Sequence, residues 1–221
     1  MTLPNPVPPV LPTTTGEIWH VRRIFCVGRN YADHAREMGH DPDAEPPFYF
    51  TKPADAIVIS GATIPYPPQT ADLHHEAELV VAIGSGGHDI DAASALTHVW
   101  GYAAGNDLTR RDLQAQAKAA RRPWDMAKGF DNSAVVGPIR PGPLGDQPIT
   151  CTIDGKVTQS AHLGEMIWPV PVLIAHLSRL VTLQPGDLIF TGTPAGVGPI
   201  LRGQTCVVTI GTLPAASVTV I

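Results

Sequence analysis

Two carboxylates stand at the start of the most apolar run in this 221-residue chain. Glu76 and Glu78 lead into residues 79–83, a β-branched segment that is typical of a buried strand. Strand side chains alternate between faces, so both carboxylates should point the same way, with their Cα atoms ~6.5 Å apart. Mutual repulsion and lost hydration would oppose folding there unless a divalent cation lay between them. A solvated strand end with two unrelated acids is the alternative, and the apolar context favours a metal.

A histidine and a carboxylate form a second candidate for chemistry. Residues 30–38 have helical character, so His34 and Glu37, three positions apart, are neighbours on the helix surface. A His–Glu pair can carry out acid–base work. Spacing alone, however, also describes an exposed pair that contributes only a few tenths of a kcal/mol.

A lone lysine in the loop 123–130 is a third candidate. Lys128 lies between Trp124 and Phe130 in sequence. Lysines are usually solvated, but an ammonium among bulky apolar side chains loses hydration unless an anion or an enolate accepts it. The surroundings of Lys128 therefore indicate an anionic partner.

The elements that must position these side chains are many short strands and few helices. A strand over residues 99–107 places Asp107 at its end, and residues 109–122 read as a short amphipathic helix. Asp154-Gly155 predicts a two-residue hairpin turn, and residues 166–183 predict a buried helix entered through prolines. The acidic, proline-bearing loop 39–47 predicts a flexible flap.

Composition excludes several classes of function. The net charge of −5, with 16% charged residues, offers no basic stripe for nucleic acid. No run is apolar and long enough to span a membrane. Three cysteines without a Cys-x-x-Cys spacing fit reduced thiols in the cytoplasm rather than a disulfide framework. A globular protein with a small-molecule ligand is the class that remains.

Four motifs in fixed order resemble the fumarylacetoacetate hydrolase family: residues 26–34, 75–78, 105–112 and 191–198. The resemblance runs from about residue 24 to 210. It implies an α+β, β-rich fold, a mixed β-sandwich or roll of the type of that family's C-terminal domain, and a homodimer. We therefore expect a catalytic domain over residues 21–221, preceded by a proline-rich arm over residues 1–20.

The resemblance also implies a cofactor, Mg²⁺ or Mn²⁺, held by Glu76, Glu78 and Asp107. All-oxygen ligation with open positions suits these hard cations. By alternation His74 shares the face of Glu76, so a zinc site is conceivable. The family gives His74 no ligand role, and we expect it to form hydrogen bonds around the site instead.

The most similar members of the family act on 2,4-diketo acids. The predicted reaction is hydrolysis of the carbon–carbon bond of fumarylpyruvate or a related acylpyruvate, giving pyruvate and a carboxylic acid. The resemblance makes His34 the base for water, Glu37 its partner and Lys128 a further catalytic group. Four residues are predicted to contact substrate: Arg29, Asn30, Gln114 and Thr193. Arg29, Arg110 and Arg111 are the candidates for binding a distal carboxylate.

Two other functions remain open. An oxaloacetate decarboxylase or an isomerase on the same scaffold would use most of the same residues, because both reactions pass through an enolate. A catalytically silent binding protein is the third hypothesis. The simultaneous presence of three carboxylates, His34 and Glu37 argues against it.

Overall fold

The computed structural model describes residues 7–39 and 46–221. The strands, numbered in chain order, are β1 (Val10–Pro12), β2 (Ile18–His20), β3 (Arg23–Gly28), β4 (Phe48–Lys52), β5 (Ile57–Ile59), β6 (Ala62–Ile64), β7 (Leu73–His75), β8 (Ala77–Ile83), β9 (Val99–Asp107), β10 (Thr109–Arg110), β11 (Ala134–Val136), β12 (Arg140–Pro141), β13 (Pro148–Ile153), β14 (Lys156–His162), β15 (Asp187–Phe190), β16 (Gly198–Pro199), β17 (Thr205–Ile210) and β18 (Ala216–Val220). The α-helices are α1 (Ala32–Glu37), α2 (Arg111–Ala119), α3 (Asp125–Lys128) and α4 (Val170–Leu180).

An eight-stranded mixed sheet forms the centre of the molecule. Its order is β4-β3-β15-β8-β9-β11-β5, and β12 pairs with the other end of β9. Every residue of β8 is buried, and alternate side chains enter two different apolar cores. Leu79 and Val81 pack into the larger core, whereas Val80 and Ala82 pack into the smaller one. The continuous apolar run in the sequence is therefore that of a strand covered on both faces.

A five-stranded sheet in the order β14-β13-β17-β18-β6 closes the larger core. The turn between β13 and β14 is the two-residue loop that the sequence predicts, with positive φ at both Asp154 (51°) and Gly155 (81°). The prediction of an α+β, β-rich fold is confirmed. Helix α4 packs its buried face, including Leu173 and Leu177, against the same core.

Three local predictions differ from the structure. The run through Glu76 is two strands, because β7 pairs with β10 and β16 in a small sheet while β8 pairs with β9 and β15. Glu76 lies in the break between them. Thr109 belongs to strand β10, so the helix begins only at Arg111. Lys128 ends a short helix, α3, rather than lying in a loop.

The proline-rich N-terminal segment forms a hairpin where the structure describes it. Strands β1 and β2 pair antiparallel, and Leu11 is fully buried against Val21 and Ile24 of the smaller core. The division into an arm and a catalytic domain stays a prediction. The flap predicted over residues 39–47 falls largely on residues 40–45, which are outside the described part of the chain.

Candidate metal centre and active site

Three buried carboxylates meet where β8 and β9 run side by side. Asp107 N–H donates to the Glu76 carbonyl (2.9 Å), and Glu78 pairs with Gly105 across the ladder. Gly105 leaves space there, since a Cβ at this position would lie 2.4 Å from Val80 Cγ2. One ligand oxygen from each of Glu76, Glu78 and Asp107 lies within 4.8 Å of the other two. The strand register thus brings together the three acids that the sequence singled out.

Cationic side chains neutralise two of these acids. Lys128 Nζ lies 2.6 Å from Glu76 Oε2 and 2.8 Å from Asp107 Oδ2, and Lys52 Nζ lies 2.7 Å from Asp107 Oδ1. Arg111 Nη2 donates to Glu76 Oε1 at 2.5 Å. The anionic partner predicted for Lys128 is therefore a pair of carboxylates.

Glu78 differs from its two neighbours. It accepts one hydrogen bond, from Gly192 N–H (2.7 Å), and among the described residues no cation pairs with it. Burial, together with Asp107 and Glu76, raises the pKa of Glu78 well above its usual range. Burial also opposes ionisation of Glu76, but Lys128 and Arg111 outweigh it and lower the pKa of that carboxyl. A buried carboxylate without a cation is the observation that a divalent metal would explain. The oxygen donor set suits Mg²⁺ or Mn²⁺.

The histidine–glutamate pair lies on α1, and His34 lines a cavity that Glu76 and Glu78 also line. His34 is only 5% exposed, and its Nδ1 lies 3.2 Å from Glu37 Oε2. The Glu37 carboxylate also accepts the backbone N–H of Gly196 (3.2 Å), which ties α1 to the loop after β15. Burial lowers the pKa of His34, although Glu76 and Glu37 oppose the shift. A neutral imidazole bonded through Nδ1–H to Glu37 leaves Nε2 as a proton acceptor.

One cavity contains most of the residues predicted from the sequence. Its lining includes eight of them: Arg29, His34, Glu76, Glu78, Arg111, Gln114, Lys128 and Thr193. Gln114 is the buried residue of α2 and accepts a hydrogen bond from Arg111 Nη1 (2.7 Å). Thr193 Oγ1 accepts a hydrogen bond from Gln159 Nε2 (2.8 Å). The sequence predicted an apolar buried face for helix α2. The residues of that face are more exposed than Gln114, because α2 packs towards the polar site.

Two predicted contacts lie elsewhere. Asn30 is fully buried but does not line the cavity, and its amide bonds only backbone groups, of Trp168 and Thr191. It ties the loop after β15 to the segment before α4, and contact between Asn30 and substrate stays a prediction. Arg110 stacks its guanidinium 4.3 Å from the Phe130 ring centroid and is also absent from the cavity lining. Of the three arginines considered for a distal carboxylate, only Arg29 and Arg111 face the cavity.

Three further polar residues belong to the site. The sequence did not predict Lys52 and Lys118, and it left the role of His74 open. Lys52 is 2% exposed and also donates to the carbonyl of Leu108 (3.1 Å). His74 accepts from Arg111 Nε (3.3 Å) and bonds Asp72 through Nε2 (2.9 Å), so it orients the arginine that contacts Glu76. Lys118 lines the cavity. Lys52 and Lys118 gave no signal, because a single lysine in a strand or a helix is usually a solvated one.

We expect the close approach of Gly192 to Asn30 to be important for stability. Gly192 has φ +95°, and an added Cβ would lie 2.6 Å from Asn30 Cβ. Gly192→Ala should lower the free energy of unfolding by about 1–3 kcal/mol more than a control without a neighbour, since both backbone strain and overpacking act. Gly203→Ala is the matched control, because its φ is +86° and no atom lies within 4 Å. Urea denaturation of both variants measures the difference, and equal losses would contradict the prediction.

The fold and the site together define an enzyme with a carboxylate-bound divalent metal. The model of the fumarylacetoacetate (FAA) hydrolase C-terminal family matches residues 23–221, and the chain belongs to this family. It is similar to a fumarylpyruvate hydrolase of Pseudomonas aeruginosa, whose crystal structure contains Mn²⁺ and pyruvate: identity is 46%, the TM-score is 0.96, and the match covers 100% of this chain and 99% of the other.

Two curated relatives carry different names. The fumarylpyruvate hydrolase of a Ralstonia species is 43% identical over 183 residues, which are 81% of this chain and 95% of the relative. The mitochondrial oxaloacetate decarboxylase of Dictyostelium discoideum is also 43% identical, over 188 residues, 83% and 86% of the two chains. Sequence similarity thus supports two activities equally.

These findings confirm the predicted family, its fold and an Mg²⁺ or Mn²⁺ cofactor. The prediction of a hydrolase that acts on carbon–carbon bonds is confirmed at the level of the family. Among the described residues, no helix has the length and apolar character required to cross a membrane.

Proposed function

We propose that the protein hydrolyses the carbon–carbon bond of an acylpyruvate, with fumarylpyruvate as the preferred substrate, to give pyruvate and a carboxylic acid. The observation that carries the proposal is the placement of a neutral, carboxylate-bonded histidine in the same cavity as Glu76 and Glu78 of the triad. Hydrolysis of a 2,4-diketo acid needs both an activated water and stabilisation of an enolate, and this cavity contains groups for each. The Mn²⁺ and pyruvate in the similar Pseudomonas aeruginosa enzyme support the assignment.

Glu76, Glu78 and Asp107 would hold the metal. When bound, it supplies positive charge for the 2-oxo carboxylate and for the departing enolate. His34 Nε2 takes a proton from water, whose oxygen bonds to C4 of the substrate while the C3–C4 bond breaks. Glu37 accepts the Nδ1–H and stabilises the imidazolium. Return of that proton to C3 completes pyruvate and restores the neutral imidazole.

The cationic residues around the triad assist with charge. Lys128 is held ionised by Asp107 and Glu76, which raise its pKa although burial opposes them, so its ammonium is available to a developing enolate oxygen. Arg111 is fixed by Gln114 and His74 as well as by Glu76. Gln114 and Thr193 present polar groups to the same cavity and orient the substrate.

Oxaloacetate decarboxylation is the second candidate, because the Dictyostelium discoideum relative carries that name. Loss of carbon dioxide from the 4-position also leaves an enolate, but it requires no activated water. The His34–Glu37 pair would then have no water to deprotonate. An isomerase on the same scaffold would likewise leave the water base unused.

The substrate test compares kcat/KM for fumarylpyruvate, acetylpyruvate and oxaloacetate with Mg²⁺ and with Mn²⁺. We expect fumarylpyruvate to be the best substrate and acetylpyruvate to be turned over, since each has the 2-oxo carboxylate and a 4-carbonyl. Loss of diketo-acid absorbance and release of pyruvate measure the reaction. If oxaloacetate is best and acetylpyruvate is inert, the decarboxylase takes the place of the hydrolase.

Assembly and location complete the proposal. We infer a homodimer from the family resemblance, and light scattering of the purified protein tests it.

A cytoplasmic location is supported by three free buried cysteines, Cys26, Cys151 and Cys206. Cys151 and Cys206 lie on paired strands with their sulfurs 3.3 Å apart and carry no disulfide. Such a contact between thiols fits a reducing compartment.

A further inference from the structure

Lys118 lines the catalytic cavity and has no anionic partner among the described residues. It lies on α2, one helical turn beyond the buried Gln114, and lines the same cavity as Glu76 and Glu78. Its side chain is half-buried, and its Nζ lies 5.3 Å from the ring centroid of Trp124. Among the described residues, no carboxylate lies within ion-pair distance of this ammonium.

Other cations face Lys118. Burial lowers the pKa of Lys118, and the neighbouring charges of Arg111 and Arg29 lower it further, while Glu76 opposes them. Both arginines line the cavity beside it. Arg111 is paired with Glu76, whereas no carboxylate of the described residues pairs with Lys118, so an anionic ligand there would meet an ammonium whose charge is not balanced. This part of the cavity therefore favours a substrate that brings a negative charge in addition to the one that binds at the triad.

A second cavity begins at the same place. It has a volume of about 500 Å³, and Phe50, Trp124 and Lys128 line both it and the catalytic cavity. Phe48 and Phe50 pack against Trp124, with ring centroids 5.6 and 5.8 Å away. Aromatic faces offer a planar, conjugated chain a large apolar contact area. Lys118, over Trp124, adds a cation to the edge of this aromatic surface.

We propose that Lys118, over Trp124 where the two cavities meet, binds the distal carboxylate of a dicarboxylic acylpyruvate and thereby selects it over monocarboxylic ones. The proposal rests on the proposed function and names the substrate class of that site. The planar acyl chain lies along the aromatic surface, and its terminal carboxylate replaces the missing anionic partner of the ammonium. Acetylpyruvate ends in a methyl group and gains nothing from Lys118.

Hydrolysis assays of the Lys118→Met variant test the role of Lys118, because methionine keeps about the length of the lysine side chain and removes its charge. The ratio of kcat/KM for fumarylpyruvate to that for acetylpyruvate should fall about 10- to 100-fold, the usual effect of losing a charge-assisted hydrogen bond. Lys118→Arg should restore most of the ratio. Lys156→Met is the matched control, because Lys156 is exposed in the β13–β14 hairpin, and its ratio should equal that of the parent. A ratio unchanged in Lys118→Met overturns the proposal.

A binding measurement separates this proposal from the proposed function. 2-Oxoheptanedioate and 2-oxoheptanoate have seven carbons each, lack a 4-carbonyl and differ only in the distal carboxylate. Calorimetry with the Mn²⁺-loaded protein should show preference for the diacid in the parent and in Lys156→Met, and about 10-fold or greater loss of that preference in Lys118→Met. No preference in the parent, or an undiminished one in Lys118→Met, overturns the role of Lys118. Failure of the parent to hydrolyse acylpyruvates overturns the proposed function alone.

Discussion

Replacing His34 with alanine should lower kcat by about 10²-fold or more, the usual range for lost acid–base assistance. The affinity for Mn²⁺ should stay close to that of the parent, because His34 belongs to α1 and no triad carboxylate hydrogen-bonds to it. Glu37→Gln should lower kcat in the same direction, since an amide stabilises the imidazolium less than a carboxylate does. Steady-state kinetics with fumarylpyruvate and Mn²⁺ titration measure the two properties separately.

The matched control for this prediction is a second histidine–carboxylate pair. His88 Nδ1 lies 3.1 Å from Asp89 Oδ2, almost the same spacing as in the His34–Glu37 pair, but both side chains are exposed. His88→Ala should leave kcat unchanged. In the parent, kcat should rise with pH through the pKa of His34 and level off above it, because the neutral imidazole is the base. Burial lowers that pKa, so the acid limb lies below the ordinary histidine value of about 6.5. A His34→Ala enzyme with normal kcat would remove the pair from the mechanism.

Glu78→Gln should weaken Mn²⁺ binding more clearly than any other single conservative change at the triad, by about 10- to 100-fold or more, since lesser changes around metal ligands already reach that range. The glutamine keeps an oxygen that can accept the Gly192 N–H. In the metal-free protein it removes a buried acid that has no cationic partner among the described residues, so stability should be equal or higher. Asp107→Asn is a poorer probe, because it leaves Lys52 and Lys128 buried with one counter-ion fewer.

The control for Glu78→Gln is Glu17→Gln, an exposed glutamate of the N-terminal hairpin, which should leave Mn²⁺ affinity unchanged. Calorimetric titration of both variants and of the parent gives the affinities, and thermal denaturation without metal gives the stabilities. If a folded variant with alanine at Glu76, Glu78 and Asp107 binds Mn²⁺ as tightly as the parent, the ligands have been assigned wrongly.

Strand pattern and turn chemistry predicted much of the fold. The strand ending at Asp107 and the Asp154-Gly155 hairpin follow from local signals that the surrounding structure does not override. The break at Glu76 did not follow, because alternation along a run does not reveal that its two halves pair with different sheets. The contact between Cys151 and Cys206, which are 55 positions apart in sequence, depends on the pairing of β13 with β17.

The candidate site was predictable where several residue types reinforced one another. The Glu76–Glu78 pair and the His34–Glu37 pair carry their chemistry in their spacing. The structure places Glu76, Glu78 and His34 in the lining of one cavity, with Glu37 bonded to His34 behind them. Single lysines carry no such pattern. Lys52 and Lys118 could be assigned to the site only from their burial and their contacts in the structure. For Asn30 a motif position suggested substrate contact, and the structure adds hydrogen bonds from its amide to backbone groups of Trp168 and Thr191, which the sequence did not indicate.

The division of the cavity between central strands and short outer helices bears on how the enzyme can evolve. Glu78 and Asp107 come from β8 and the buried part of β9, and Glu76 from the break just before β8, where most substitutions would cost folding stability. Lys118 and Trp124 come from α2 and the residue just before α3, where most neighbouring side chains are only partly buried or exposed. A lineage could therefore exchange one acyl group for another through substitutions at Lys118 and Trp124, while the triad and Lys128 stay under purifying selection.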